Sequence, residues 1–320
     1  MPDSVAPEVS VVVPTRDRAQ RLSGLLRSLR GQTIAPARFE VIVVDDGSRD
    51  RTPLLLREAA GRSDLSLTSV RLEGRGPAAA RNVGWRSARA ALIAFTDDDC
   101  EAAPGWLAAM LRRAGTSEAA VVQGPTVPMP WEHHRRGVLS RTRSIPLPSP
   151  WFETCNILYP RAMLETLGGF DEAFPDALGE DTDLGWRALE AGARHAFAPD
   201  AVVYHAIDRL SLREHLRTAL RGPDAVLVFK RHPELRKRTI RYGAFRNPAH
   251  ANLLLAVAGV AASRRAPAAA ALSAPYVVGL ARRARAAGAS PLAAAYLLLY
   301  DLLQTYASAR GSLRHRVLAL

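Results

Sequence analysis

Two short runs of β-branched residues, EVSVVVP at 8–14 and FEVIVVDD at 39–46, each end in polar side chains, as buried parallel strands do. Between them Leu22, Leu25, Leu26 and Leu29 recur at helical spacing, which predicts a strand–helix–strand unit. A third apolar run, Ala90 to Phe95, follows a helical stretch from Pro77 to Arg89 and stops at Asp97, Asp98 and Asp99. Strands that end in clustered polar groups fit an open α/β sheet, whose ligands sit beyond the carboxyl ends of its strands. Residues 121–151 are rich in Pro and Arg with little periodicity, the pattern of a long, partly mobile loop. Glu180 to Gly192 opens with acidic residues and closes on glycine, which predicts a helix, and Ala201 to His205 reads as another strand.

Beyond Leu210 the pattern changes. Residues 209–246 read as an Arg-rich amphipathic helix, and three uncharged stretches follow, 247–263, 266–281 and 286–300, separated by arginines. Charge divides the chain at the same place: residues 1–208 carry 24 basic and 27 acidic groups, whereas 209–320 carry 19 basic and 4 acidic. The chain of 320 residues, at roughly 150 per domain, is therefore expected to hold a domain at 1–208 and a basic helical region at 209–320. Cys100 and Cys155 are too few for a disulfide framework or a zinc site of their own, and the opening MPDSVAPE has no apolar leader core, so a cytosolic location is expected. The apolar stretches fall short of the roughly 20 residues of a spanning helix. Arg-rich flanks beside them suit an in-plane or hairpin anchor attracted to anionic lipid, with a packed Ala-rich subdomain as the alternative. Eleven basic groups over 209–246 with only Phe229, Tyr242 and Phe245 among them match no nucleic-acid-binding module, so no nucleic acid is expected.

Three adjacent carboxylates, Asp97 to Asp99, repel one another unless a cation or hydrogen-bond donors neutralise them. A hard divalent ion bound through oxygen, with a diphosphate completing its shell, resolves the repulsion; a solvated acidic turn is the plain alternative.

Six ordered motifs carry a resemblance. They are Pro14-Thr15-Arg16-Asp17-Arg18, Val44-Asp45-Asp46-Gly47-Ser48, Ala80-Arg81-Asn82-Val83-Gly84, Thr96-Asp97-Asp98-Asp99, Gly168-Gly169-Phe170-Asp171, and the run from Glu180-Asp181-Thr182-Asp183 to Trp186-Arg187. In this order, over residues 8–208, the chain resembles the family 2 glycosyltransferases of GT-A fold. The resemblance implies an α/β Rossmann-like nucleotide-diphospho-sugar transferase domain. Its reaction is metal-dependent, inverting transfer from a nucleotide-sugar, most often a UDP-sugar, to a hydroxyl of a glycan or lipid-linked acceptor.

It also implies roles for individual residues. Asp46 takes the nucleotide base, with Pro14, Thr15 and Asp17 walling the same pocket, although Asp46-Gly47 is also ordinary turn chemistry. Arg81 suits diphosphate oxygens, or is simply a helix-surface arginine in a chain with 41 of them. Asp97 and Asp99 form the acidic pair, in which Asp99 touches Mn²⁺ or Mg²⁺ and Asp97 the ribose or the metal; Asp98 positions the sugar, and His205 adds a third ligand or is a structural histidine. Asp181 resembles the catalytic base, taking the acceptor's proton; the alternative for Glu180-Asp181 is charge that complements a helix dipole. Cys155, Asn156, Glu180 and Trp186 are expected around the sugar and acceptor. A sugar nucleotidyltransferase is a rival, but it leans on a Gly-rich phosphate loop where this chain has Pro14 to Arg18. A non-catalytic nucleotide-sugar-binding scaffold is the other.

Overall fold

The computed structural model describes all residues except 1–5, 117–119, 175–177, 222–224, 246 and 287–290. They fall into two compact units, one of residues 1–133 with 142–207, the other of residues 134–141 with 208–320.

In chain order the first unit begins β1 (Val9–Thr15), α1 (Ala19–Arg30), β2 (Phe39–Asp45), α2 (Thr52–Ala60), β3 (Leu67–Arg71), α3 (Pro77–Ser87) and β4 (Leu92–Phe95). It continues through β5 (Cys100–Ala102), α4 (Trp106–Gly115), β6 (Ala120–Gln123) and β7 (Thr126–Pro128). After β8 (Ser140–Arg141), which belongs to the second unit, come β9 (Ile157–Pro160), α5 (Arg161–Leu167), α6 (Glu180–Glu190), β10 (Arg194–Phe197) and β11 (Val203–His205). Seven strands form one sheet in the order β10-β6-β9-β4-β1-β2-β3, in which β9 alone runs against both its neighbours. A second sheet, β5-β11-β7, stands beside it.

Apolar periodicity explains the packing. Leu22, Leu25, Leu26 and Leu29 of α1 are buried with Val9, Val11 and Val13 of β1 in one core. A Cβ at Gly84 would lie 2.3 Å from Val12 Cγ1, so glycine there lets α3 sit directly on β1. Buried Glu40 accepts from Ser10 Oγ (2.6 Å) and from Arg89 N (2.7 Å) and Nε (2.8 Å), tying β2 to β1 and to the turn before β4. Parallel pairing of β1 with β2 and β4 brings Thr15, Asp45 and Asp97 to Asp99 to one end of the sheet, the end predicted for ligands.

The stretch 121–151 differs from the expected loop. Val121 and Val122 are fully buried and form β6 inside the main sheet, Thr126–Pro128 forms β7, and Ile145 pairs with Thr126 across a backbone bridge. The prolines fall between these anchors rather than abolishing them.

The second unit adds the two-stranded sheet of β8 with β12 (Asp208–Arg209) and the helices α7 (Leu212–Leu220), α8 (Ala225–Arg231), α9 (Pro233–Thr239), α10 (Pro248–Ala262), α11 (Ala274–Ala286) and α12 (Pro291–His315). The amphipathic helix expected over 209–246 is broken into α7, α8 and α9. Ser211 and Glu214 start α7 with a reciprocal capping box. Pro233, which has no N–H to continue α8, starts α9. Asp301 on α12 is buried and accepts from Tyr276 Oη (2.8 Å) and from both terminal nitrogens of Arg283, 3.0 and 2.5 Å, locking α11 to α12. His215 on α7 bonds Tyr296 and stacks near Tyr300, 4.7 Å between ring centroids, holding α12 on α7. Among the described residues no helix is long and apolar enough to cross a membrane.

Candidate functional site

The site assembles from strand ends. Because β1 and β4 are neighbours, Thr15 Oγ1 reaches Asp98 Oδ2 at 2.7 Å, and Arg18 in the following turn donates to Asp99 Oδ2 (2.5 Å) and Asp98 Oδ1 (3.3 Å). Burial, reinforced by the Asp99 charge, pushes the Asp98 carboxyl up to about 7. Asp97 stays partly open to solvent at 29% side-chain exposure. Its Oδ1 accepts from Arg81 Nη2 at 2.9 Å, while no described residue bonds Oδ2.

Arg81 is a bridge rather than a surface arginine. It is buried, with Nη1 on Glu180 Oε1 and Nη2 on Asp97 Oδ1, both at 2.9 Å, and its guanidinium lies 5.7 Å from the Phe170 ring centre. Its two carboxylate partners join the acidic triplet to the start of α6. Asn82, one residue on, donates to Phe170 O (2.8 Å) and accepts from Phe170 N (2.9 Å), fixing the Gly168-Gly169 turn. Gly169 has φ +78°, and a Cβ there would lie 2.4 Å from Asn82 Oδ1, so both backbone and space demand glycine. Arg187 closes the arrangement through Asp183 (2.8 Å) and the carbonyls of Leu167 (2.9 Å) and Gly169 (2.8 Å).

Asp181 is half-buried at the first turn of α6. Its Oδ1 accepts from Thr182 N at 2.7 Å, and Oδ2 bonds no described residue. Burial, followed by the neighbouring Glu180 charge, raises its carboxyl to about 7, outweighing the Arg81 charge and the backbone N–H that lower it. The helix-dipole effect expected at this position is overridden by desolvation. Glu180 itself is buried, with Oε2 bonded to no described residue, and burial raises its carboxyl as well.

A cation would fit between Asp99 and His205. Antiparallel pairing of β11 with β5 puts His205 opposite Cys100, bringing Nε2 to 3.5 Å from Asp99 Oδ1. His205 Nδ1 lies 2.9 Å from Ala206 O, which can only accept, so Nδ1 carries a hydrogen and Nε2 is the nitrogen that faces the carboxylate. A carboxylate and an imidazole facing each other, the ring oriented by a backbone carbonyl, could hold a metal ion. Cys100 Sγ shares the cluster, and burial with the Asp99 charge pushes its thiol well up.

On the nucleotide side, Asp46 accepts from Arg75 N (2.7 Å) and Gly76 N (2.9 Å), so the residue expected to meet a base also builds the turn before α3. Asp17, in the left-handed region at φ +53°, accepts from Arg49 N at 2.6 Å and donates its own N–H to Ser48 Oγ at 2.8 Å. Pro14 stands at the end of β1 beside Thr15.

Three expected pocket residues are part of the scaffold instead. Asn156 donates to Pro125 O (2.9 Å) and Ala201 O (2.8 Å) and accepts from Trp106 Nε1 (2.8 Å), so its amide is fully engaged. Cys155 is buried with Sγ 3.4 Å from Thr126 Oγ1. Trp186 is buried and donates to Pro150 O at 2.9 Å, next to Thr182 Oγ1 on Trp151 O at 2.8 Å. A Cβ at Gly185 would meet Phe152 at 2.1 Å, so one face of α6 is latched to Pro150–Phe152 at three successive points. The sequence reading missed Arg143 and Glu153, whose charges act on one another and on Asp181. Their only signal was an undistinguished place in a Pro- and Arg-rich run.

The sequence profile described as glycosyl transferase family 2 matches residues 10–168, and that described as glycosyl transferase family group 2 matches residues 92–300. The chain belongs to the family 2 glycosyltransferases. Relatives include the pre-mycofactocin glycosyltransferase of Mycobacterium tuberculosis, 33% identical over 71% of this chain and 48% of that protein. Validoxylamine A glucosyltransferase of Streptomyces hygroscopicus subsp. limoneus is 34% identical over 58% of this chain and 48% of that protein. The chain thus spans about half the length of these relatives. Among solved structures, the mannosyltransferase PcManGT from Pyrobaculum calidifontis in complex with GDP-Man and Mn²⁺ superposes with a TM-score of 0.61 at 24% identity, covering 99% of this chain and 89% of that one. S. aureus TarS 1–349 in complex with UDP does so at 0.53 and 18% identity, covering 97% and 92%. The fold of this family 2 member is GT-A, with C-terminal helices.

Proposed function

We propose that this protein transfers a sugar from a nucleotide-sugar donor, with UDP-sugars the first to try, to a hydroxyl of a glycan or lipid-linked acceptor, inverting the anomeric centre. The observation that carries this reading is the Arg81 bridge, which joins Asp97 of the acidic triplet to Glu180 beside Asp181, a carboxylate with one oxygen that no described residue bonds. Asp97, Asp99 and His205 would hold Mn²⁺ or Mg²⁺, which when bound neutralises charge on the departing diphosphate. Asp181 Oδ2 takes the acceptor's proton as its oxygen bonds the anomeric carbon and the bond to the diphosphate breaks. A carboxyl near 7 suits a base working at neutral pH. Thr15, Asp17 and Asp46 shape the nucleotide end, and Asp98, held by Thr15 and Arg18, keeps the triplet in place.

The test is nucleoside-diphosphate release across UDP-, GDP- and dTDP-sugars with either metal, with and without a lipid extract. Release that needs metal and disappears in Asp99→Ala supports the reading. No release and no donor-induced thermal shift would make the protein a scaffold and refute it.

An anionic membrane surface is proposed as a partner of the second unit, held at a cytoplasmic membrane face. Leu254, Leu255, Val257 and Val260 on α10 and Val277 and Val278 on α11 are exposed, no charge interrupts residues 247–263, and Arg264, Arg265, Arg282 and Arg285 stand at the segment ends. With no helix among the described residues both long and apolar enough to span, this is the chemistry of helices lying in the interface plane. Sedimentation with phosphatidylglycerol vesicles but not phosphatidylcholine vesicles, weakened by salt, is expected; no sedimentation with either sinks it.

A further inference from the structure

The arginines around the cleft are almost all matched. Arg16 lies 3.9 Å from Asp46, Arg18 2.5 Å from Asp99, Arg75 2.9 Å from Glu172 and Arg81 2.9 Å from Asp97. Arg143 differs: it is exposed and makes no hydrogen bond or ion pair with any described residue. The segment that carries it is nevertheless fixed. Thr142 Oγ1 donates to His205 O at 3.4 Å, and Ile145 exchanges two backbone bonds with Thr126, 3.0 and 2.7 Å, beside Cys155. The carboxylates whose charges act on its guanidinium are Asp181, Glu153 and Asp97.

This placement poses an electrostatic question. A diphosphate carries anionic oxygens toward Asp97, Asp99 and Asp181, and Arg18 and Arg81 cannot turn to meet it without abandoning a buried carboxylate. An unmatched, always-charged guanidinium can, because its planar donor fork suits phosphate oxygens. Thr142 beside it is tied to the carbonyl of His205, whose ring faces Asp99, which anchors Arg143 at the Asp99 end of the site, toward the diphosphate rather than the nucleoside.

We propose that Arg143 binds the distal, sugar-bearing phosphate of the donor and steadies the nucleoside diphosphate as it departs. The proposal rests on the nucleotide-sugar reading above. A phosphate on a lipid-linked acceptor offers the same chemistry, so the experiment separates the two.

Arg143→Gln and Arg143→Lys are compared with the parent protein by calorimetry with Mn²⁺, using nucleoside diphosphates and monophosphates of the uridine, guanosine and thymidine series. Arg143→Gln is expected to weaken the bound diphosphate about tenfold, to leave the matching monophosphate within about twofold, and to keep its melting temperature. Lysine is expected to fall between. Equal weakening of both nucleotides, or of neither, overturns the proposal. Unchanged nucleotide binding with a raised KM for a lipid-phosphate acceptor also overturns it and assigns the guanidinium to that acceptor. A parent protein that binds no nucleoside diphosphate refutes the nucleotide-sugar reading itself, and this assignment with it.

Discussion

Replacing Arg81 with methionine keeps the length of the side chain and removes the charge between Asp97 and Glu180. Both contacts are 2.9 Å, Glu180 is buried, and its second oxygen bonds no described residue, so that carboxylate has nothing else to take over. Removing one partner of a buried ion pair costs about 3–5 kcal/mol, and at about 2–4 °C per kcal/mol for a unit of this size the melting temperature should fall by about 6–20 °C. The loss should also depend on pH in a stated direction. Glu180 and Asp181 already hold their protons more tightly in the fold than ordinary carboxyls, and Arg81 is a charge that opposes this in both. Without it both rise further, and a carboxyl raised in the folded state favours folding as pH drops through that raised value. The melting deficit should therefore be larger at pH 8 than at pH 5.5, and Arg81→Met with Glu180→Gln should recover part of it. The acid limb of kcat/KM should move above its parental position near 7. A deficit under 2 °C, or one equal at the two pH values, would refute the bridge as described.

Other substitutions separate chemistry from scaffold. Asp181→Asn should retain nucleotide-sugar binding by calorimetry while turnover drops by about 10²-fold or more, and parental turnover should decline as pH falls below about 7. His205→Ala should raise the Mn²⁺ concentration needed for half-maximal activity by about 10- to 100-fold, read from a metal titration. Asn156→Ala leaves the Ala201 carbonyl and the Trp106 indole N–H unsatisfied in the core, while Pro125 O keeps Val203 N; at about 1–3 kcal/mol for each orphaned group, urea unfolding should show a loss of several kcal/mol. In that variant activity should fall only with the folded fraction.

Much of the first unit was legible because its strands are apolar runs that stop at polar residues, which revealed β1, β2 and β4 and the end of the sheet where the motifs gather. The strands β6 and β9 were hidden because four-residue runs such as Ile157–Pro160 carry no periodicity of their own and gain their place from neighbours on both sides. Motif order exposed Asp97, Asp99 and Asp181, yet it could not tell an amide or indole that faces a ligand from one that braces the fold. Asn156 and Trp186 have the right chemistry for a sugar pocket, but their partners, Pro125, Ala201 and Pro150, are backbone carbonyls 31 to 45 residues away in sequence. Arg143 was invisible for the opposite reason: nothing local distinguishes it among 41 arginines until the charges around it are known.

The latch of Thr182, Gly185 and Trp186 onto Pro150–Phe152 makes the helix bearing Asp181 and the segment before it one mechanical piece. For anyone wishing to exchange this region among such enzymes, the latch sets the size of the exchangeable part. A graft ending at residue 153 would set a foreign backbone against Gly185, where not even a methyl group fits. One running on through Glu190 would transplant both halves of the latch together and let the borrowed loop keep its shape.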